Sequence, residues 1–434
     1  FQEIDYRRMY GQMAKWVDEI SDASRLQEYI SRAFRTALSG RPGPGVWPLP
    51  DGMLYDLLDA PTQPARAETP RYQPAPDALG DLKSRLATAK HPLVMAGGGG
   101  WTPAAIAALE RFAETQGLPV GVSLRSQGLM NNTHPNYIGH FGIGPTPYLV
   151  EALAKTDLLI AIGPRLGEMT TGGYTLLTPP VPQMDLMHVF PHAEELGRVY
   201  EPALALVSDS ESFCTAVAEW EPIAKDRFAA SVAGLRQSYE AFNAPATVPD
   251  DPVAPMFAHL AETLPDDAIL CNGAGNYAGW LHRFYRYRAS GSQLAPTSGS
   301  MGYGLPAAIG AATAAPGREV FAIAGDGCFM MTCQEMATAA HHWLNLTVII
   351  LNNSRYGTIR AHQEREFPLR VSATDLTNPD FCALARSFGA GAWKVTETTG
   401  FEAALAEARA KDGVKLIEVV TPDKLIAPGR WIDG

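Results

Sequence analysis

Cysteine is scarce in this sequence: Cys214, Cys271, Cys328, Cys333 and Cys382 are the only five in 434 residues. They are odd in number, scattered and free of any C-x-x-C pair, which excludes a disulfide framework and a zinc ribbon and points to a reducing cytoplasm. Long apolar runs are missing as well. None reaches the roughly 18 residues that a membrane helix needs, so no membrane partner is expected, and no secretory leader pattern is read. Basic runs are also absent. With 35 Lys and Arg against 46 Asp and Glu, the formal charge is −11, so no nucleic-acid partner is expected. What the chain does have is apolar residues, 46% against 19% charged, enough to offset chain entropy and build a large core. Its length implies two to four domains at roughly 100 to 200 residues each. Such a chain binds a small ligand. It opens on Phe1 rather than Met, inside a helical pattern, so residues before Phe1 are expected.

Helical patterns run around Tyr6 to Ile20 and Ser24 to Ser39, and GRPGPGVWPLP then reads as a turn leading into a short strand. From Leu57 to Pro76, alanine, proline and threonine without periodicity read as a linker. Residues 77 to 220 alternate helical stretches with the apolar runs PLVMA, LPVGVS, DLLIAIG, DLMHVF and ALALVS, the pattern of a parallel sheet covered by helices. The helix after PLVMA has Thr102 as N-cap, Pro103 at its first position, Ile106, Leu109 and Phe112 on one face, and Gly117 as its stop. A loose stretch, NAPATVPDDPVAP at 243 to 255, precedes another α/β unit. Its strands are AILCN, EVFAIAG, LTVIILN and KLIEVV, with helices near 304 to 315, 332 to 343, 378 to 388 and 400 to 411. No solenoid repeat is present.

Chemistry concentrates in VFAIAGDGCFMM and LTVIILNNSRYG. An apolar strand delivers Gly325, Asp326 and Gly327 to its C-terminal end, where open α/β sheets bind ligands. Glycines let backbone N–H groups approach an anion, and Asp326 offers a hard oxygen to a cation. A helix and a second strand later come Asn352 and Asn353. If the two strands are neighbours, Asp326 and Asn353 stand side by side, a few-charge oxygen set that suits magnesium. A GDG taken alone is equally a surface turn.

The pair with its spacing resembles the GDG-to-NN motif of thiamine diphosphate enzymes, and SGSMGYGLPAAIGA before it and the step Tyr356-Gly357 after it agree with that family. The fold class implied is α/β, parallel sheets covered by helices, with a thiamine diphosphate-binding fold plus a Rossmann-like central domain. Residues 1–60 look like the C-terminal remnant of the pyrimidine-binding domain, 77–220 like the central domain and 250–434 like the diphosphate- and magnesium-binding domain. The resemblance assigns Asp326, the side chain of Asn353 and the backbone carbonyl of Arg355 to Mg2+. Thiamine diphosphate falls to Gly275, Asn276 and Tyr277 of GAGNYAGW, with Trp280 on the next helix, and to Gly325, Asp326, Gly327, Cys328, Asn353, Tyr356, Gly357 and Thr358. Met301 stands where the family bends the cofactor over a bulky apolar residue, and the Gly299 carbonyl where it accepts from the aminopyrimidine. Cys328 replaces a frequent serine, and nothing near it in sequence marks a nucleophile.

The glutamate with which the family activates the cofactor sits on the pyrimidine-binding domain, upstream of Phe1, and Glu3 matches a later part of that domain. The 434 residues alone are therefore expected to be inactive. The resemblance also implies a homodimer or homotetramer with the active site at the subunit interface. GRPGP, SMGYGLPAAIGA and RAHQERE are closest to the acetolactate synthase-like branch. Decarboxylation of a 2-oxo acid, pyruvate first, followed by carboligation is the expected activity. A simple 2-oxo acid decarboxylase of the benzoylformate or pyruvate type, or a non-catalytic cofactor-binding subunit, is the alternative.

Other features carry less. AGGGGW at 96 to 101 follows a strand but is not G-x-G-x-x-G, so no nicotinamide site is read. Arg165 in IGPRLGEMTTGG falls where flavin-binding relatives have an arginine, yet Gly167, Glu168 and Met169 replace the acidic pair and second arginine that follow there. FAD stays an open alternative. His341 and His342 should point apart on a helix, and His188 and His192 flank Pro191, so neither pair reads as a metal site. His362, among the charges of RAHQERE, reads equally as active-site mouth or as solvated surface.

Overall fold

A computed structural model describes residues 3–59, 66–223 and 225–432. Its central part is a parallel sheet of the strands Pro92–Ala96, Val120–Val122, Tyr137–His140, Leu158–Ile162, Asp185–Phe190 and Leu204–Val207. Their spatial order is third, second, first, fourth, fifth, sixth, the doubly wound order with its topological switch between the first and fourth strands. Side chains of successive residues point to opposite faces, and the core divides accordingly. Val94, Ala96, Ile160, Ile162 and Val189 share one apolar cluster with Leu109 and Phe112, while Leu93, Met95, Leu159, Ala161 and Leu186 share the other. The helix Pro103–Gln116 forms as its sequence signals require: Thr102 accepts from the Ala105 N–H, and Gly117 closes it with φ +68°. Only glycine holds that conformation without strain.

The second sheet is also parallel throughout. It comprises Ile269–Asn272, Gln293–Leu294, Val320–Gly325, Leu346–Asn352, Gly391–Val395 and Val414–Val420, in the order second, first, third, fourth, sixth, fifth. Its inner strands are buried along nearly their whole length, which is why they read as continuous apolar runs. Again alternate residues feed two cores, Phe321, Ile323, Ile349 and Leu351 on one face and Ala322, Ala324, Val348 and Ile350 on the other.

The two sheets are joined by hydrogen bonds from the turn after Val120–Val122. Gln127 Nε2 donates to the His282 carbonyl at 2.7 Å, the Asn132 N–H donates to the Tyr287 carbonyl at 2.7 Å, and the Tyr287 N–H returns a bond to Asn132 Oδ1 at 3.1 Å. The loose stretch at 243 to 255 holds a buried carboxylate, Asp251. It accepts from the Val253 N–H, from Trp280 Nε1 at 2.8 Å and from the Gly429 N–H at 2.7 Å. That one side chain ties three distant segments together.

Some expectations need correcting. The first helical pattern is a helix only over Tyr6–Tyr10; Trp16–Val17 is a strand paired in parallel with Gly45–Val46. Trp16 there packs on Tyr29 and Trp47, a tertiary contact that overrides the local period. His341 and His342 do not point apart: the helix Met336–His341 ends between them and their rings meet edge to face at 4.9 Å. Of the expected linker, residues 60–65 lie outside the described residues. Its end is pinned, because the Tyr72 N–H donates to Asp209 Oδ2 at 2.7 Å and Arg71 pairs with Glu211 at 2.8 Å. No described helix is long and apolar enough to cross a membrane.

Candidate active site

Gly325 and Leu351 are register partners on neighbouring strands, so their chains leave the sheet side by side. Asp326 and Asn353 follow at once and line one cavity of about 250 Å³ together with Arg355. The same wall holds Gly275, Asn276, Tyr277, Gly299, Met301, Gly325, Gly327, Cys328, Tyr356, Gly357 and Thr358. Every cofactor- or metal-site residue expected from the sequence is thus brought to this one place.

Local contacts fix the geometry. Asn353 Oδ1 accepts from the Arg355 N–H at 3.3 Å, and the Arg355 carbonyl accepts from the Gly357 N–H at 3.0 Å. The Asn276 N–H donates to Thr358 Oγ1 at 2.9 Å, and that hydroxyl donates to Asn276 Oδ1 at 3.0 Å, which ties the loop at 275 to the first turn of the helix Gly357–Glu366. Cys328 Sγ lies 3.1 Å from the Tyr277 hydroxyl and accepts from the Gly302 N–H at 3.2 Å. Buried and so engaged, it joins three loops. Met301 is 40% exposed at the rim, and Gly299 beside it has φ +71°.

Asp326 is 2% exposed. Burial pushes its carboxyl above the usual carboxylate value, against the lowering effect of a hydrogen bond from Asn378. Asn378 Nδ2 donates to Asp326 Oδ2 at 2.7 Å and to Asn352 Oδ1 at 3.0 Å. Sequence spacing did not reveal Asn378, which lies 52 residues beyond Asp326. The C-terminal residues Thr421, Leu425 and Ile426, which also line the cavity, carried no signal either.

The residues fit a hard divalent cation with a phosphate ester. A carboxylate, an amide oxygen and a peptide carbonyl are the donors such a cation takes. The glycines keep the cradle open: a Cβ on Gly325 would lie 2.9 Å from the Tyr277 ring, and one on Gly327 2.5 Å from the Tyr356 ring. Residues 273–419 match the C-terminal TPP binding domain of thiamine pyrophosphate enzymes, and residues 79–217 match their central domain. The acetolactate synthase large subunit of Corynebacterium glutamicum is 31% identical over 431 residues, covering 94% of this chain and 67% of its own. The chain belongs to the thiamine pyrophosphate enzyme family.

A second relative, the acetolactate synthase isozyme 1 large subunit of Escherichia coli, is 30% identical over 441 residues, with 96% of this chain and 74% of its own covered. The putative thiamine pyrophosphate-containing protein YdaP of Bacillus subtilis is 29% identical over 445 residues, with 100% and 75% covered. The chain spans about two thirds to three quarters of the length of these relatives, and 65% of the Mycobacterium bovis acetolactate synthase.

The remaining sequence candidates lie elsewhere. Arg165 pairs with Glu195 at 3.0 Å, and Trp101 Nε1 donates to the Gly97 carbonyl at 2.8 Å. His188 Nε2 sits 3.0 Å from the Pro164 carbonyl, and His362 Nδ1 is 2.7 Å from Arg365 on a surface helix. Asp380, Cys382 and Glu418 converge on one point, but Asp380 caps a helix and Glu418 is held by Asn352 and Lys394.

Proposed function

We propose that the whole protein uses thiamine diphosphate and Mg2+ to decarboxylate a 2-oxo acid, pyruvate first, and to join the remaining fragment to a second carbonyl compound. The observation that carries this is the convergence of Asp326, Asn353 and Arg355 beyond adjacent strand ends above a glycine cradle, in a chain whose relatives include acetolactate synthases. Thiamine diphosphate supplies the electron sink that loss of carbon dioxide needs.

The chain's own residues bind and orient. Asp326, the Asn353 amide oxygen and the Arg355 carbonyl hold the cation, and Asn378 fixes the carboxylate from behind. Backbone groups of Gly275, Asn276, Tyr277, Gly327 and Cys328 hold the diphosphate, with Gly325, Tyr356, Gly357 and Thr358 shaping the pocket. Met301, at the rim, would support the bound cofactor, and the Gly299 carbonyl would accept from its amino group. Residues 1–60, 77–220 and 250–434 are assigned to the pyrimidine-binding, central and diphosphate-binding domains. FAD does not enter this reading, because Gly167, Glu168 and Met169 stand where flavin-binding relatives have an acidic pair and a second arginine.

Met301 and Ile359 line the cavity and are large and exposed, as are Tyr303, Met330 and Met331, which are close in sequence to the lining residues Met301 and Cys328. Apolar exposure of this kind marks an interaction surface, and we assign it to a second copy of the protein in a homodimer or homotetramer. The free cysteines suit a reducing compartment, and we place the protein in the cytoplasm. Turnover of pyruvate and of benzoylformate by the whole protein, with thiamine diphosphate and magnesium added, tests the reading. Acetolactate is the expected product. Aldehyde alone would make the protein a decarboxylase, and cofactor binding without turnover of either acid would make it a binding subunit.

A further inference from the structure

A second cavity, of roughly 500 Å³, lies between the two sheets and shares Gly275, Asn276, Gly299 and Thr358 with the candidate active site. Its charged lining is one-sided: Arg125, Arg283 and the imidazoles His140 and His282 are there, and no Asp or Glu is. In a chain of net charge −11, such a wall is not the average surface. Arg283 is accounted for structurally. It donates to the Phe242 carbonyl and to Thr247 Oγ1 and stacks on the Phe242 ring at 4.1 Å.

Arg125 is not. Its backbone sits at φ +61°, a left-handed conformation that a residue with a Cβ seldom adopts. Nη1 donates to His282 Nε2 at 2.9 Å. That nitrogen must be bare to accept, so His282 is neutral with its proton on Nδ1, and burial together with Arg125 holds this imidazole far below the usual histidine range. The Arg125 Nε is buried with no hydrogen-bond partner, and among the described residues no carboxylate acts on its guanidinium. A desolvated guanidinium whose partner is a neutral ring lacks a counter-ion.

We propose that Arg125 is a carboxylate-binding residue of the interdomain cavity, and that the carboxylate it takes is that of the 2-oxo acid. The second step rests on the function proposed above. A guanidinium is the cation that suits a planar carboxylate. The remaining wall carries no further charge and combines apolar side chains such as Leu124, Ile143 and Phe242 with neutral polar ones such as Gln127 and Asn243. It fits an organic monoanion rather than a polyphosphate, which needs several cations. His282 aims the guanidinium, and Gln127, bonded to the His282 carbonyl, holds His282.

The test uses the whole protein loaded with thiamine diphosphate and magnesium, with phenylacetate as an inert carboxylate and inorganic phosphate as a control anion. In Arg125→Gln, KM for pyruvate and benzoylformate should rise roughly 10- to 100-fold, the loss expected for a charge-assisted hydrogen bond, and by more than kcat falls. Arg125→Lys should recover part of it. Calorimetry should show phenylacetate binding to the wild type, lost in Arg125→Gln, with phosphate ignored by both. Should the variant not fold, phenylglyoxal labelling of the wild type read by mass spectrometry replaces it, and phenylacetate should protect Arg125. Unchanged KM and phenylacetate binding in Arg125→Gln, or no protection, would overturn the proposal. Loss of phenylacetate binding in a protein that turns over neither 2-oxo acid would uphold the carboxylate subsite and end the 2-oxo acid reading instead.

Discussion

The turn Gly97–Gly100 leaves the first strand of the central sheet much as Gly325–Gly327 leaves the third strand of the other, both at strand ends where parallel sheets bind ligands. In the central sheet a Cβ on Gly98 would lie 2.0 Å from the Gly163 carbonyl oxygen, and one on Gly163 2.5 Å from the Gly97 oxygen. Those glycines let two backbones touch at the switch point. In the other sheet the missing Cβ atoms of Gly325 and Gly327 would meet the aromatic rings of Tyr277 and Tyr356, side chains that line an open cavity. Glycine near a strand end is thus no ligand signal by itself. What matters is whether its absent side chain would strike backbone or pocket wall, and whether hard oxygens stand beside it.

The sharpest way to break this contrast is to make the same substitution in both turns. Gly98→Ala should cost roughly 4 kcal/mol of stability, near the top of the usual range, because backbone cannot yield and φ is +71°. Denaturant unfolding measures it. Gly327→Ala should leave stability nearly intact, since the Tyr356 ring can move, and should weaken cofactor binding instead. Equal losses of stability in both variants would end the distinction.

At the junction of the sheets, beside His282, His140 gives a second test. Burial, then the positive charge of Arg125, pushes its pKa down to about 4. The folded imidazole stays neutral while the unfolded one takes up a proton below about 6.5, so the folded state binds fewer protons in that window. Stability present above pH 6.5 should be lost as pH falls towards 4, by up to about 3 kcal/mol. Unfolding free energies at pH 7.5 and 4.5 should show this slope, and His140→Gln should reduce it, leaving the share of His282, whose imidazole burial also holds far below the usual range. A variant as acid-sensitive as the wild type would refute the assignment.

Two smaller effects sharpen the pocket side of the comparison. Asp326→Ala should lower magnesium-dependent thiamine diphosphate affinity roughly 100-fold, the upper end of losses seen even for supporting residues. Asn378→Ala should lower it roughly tenfold, as a group that orients a ligand rather than being one. Calorimetry with and without magnesium reads both, and an Asn378 effect as large as that of Asp326 would make the amide a direct donor.

Much of this is legible in the sequence. The buried strands of both sheets stood out as apolar runs because parallel strands covered on two faces have no polar side to show. The pocket was legible because Asp326 and Asn353 each sit one step beyond a recognisable strand. The short strands Gln293–Leu294, Gly391–Val395 and Tyr137–His140 were not seen: they are sheet edges, and the first two are only half-buried, so they lack the pattern. Trp16–Val17 read as helix because its pairing with Gly45–Val46 comes from a distant segment. Asn378 and Arg125 were missed for a related reason. Their partners, Asp326 and His282, lie far away in sequence, and no local spacing encodes such a meeting.

Asp251 has one more consequence, for the order of events in synthesis. Its carboxylate reaches back from the Gly429 N–H, and Thr421, Leu425 and Ile426 supply part of the pocket wall. On a ribosome the central sheet can form as soon as its last strand emerges. The pocket cannot close until Thr421, Leu425, Ile426 and Gly429 have emerged as well. Until then its acid and its glycine cradle face water, so the part of the molecule most able to hold a ligand is finished after the central sheet.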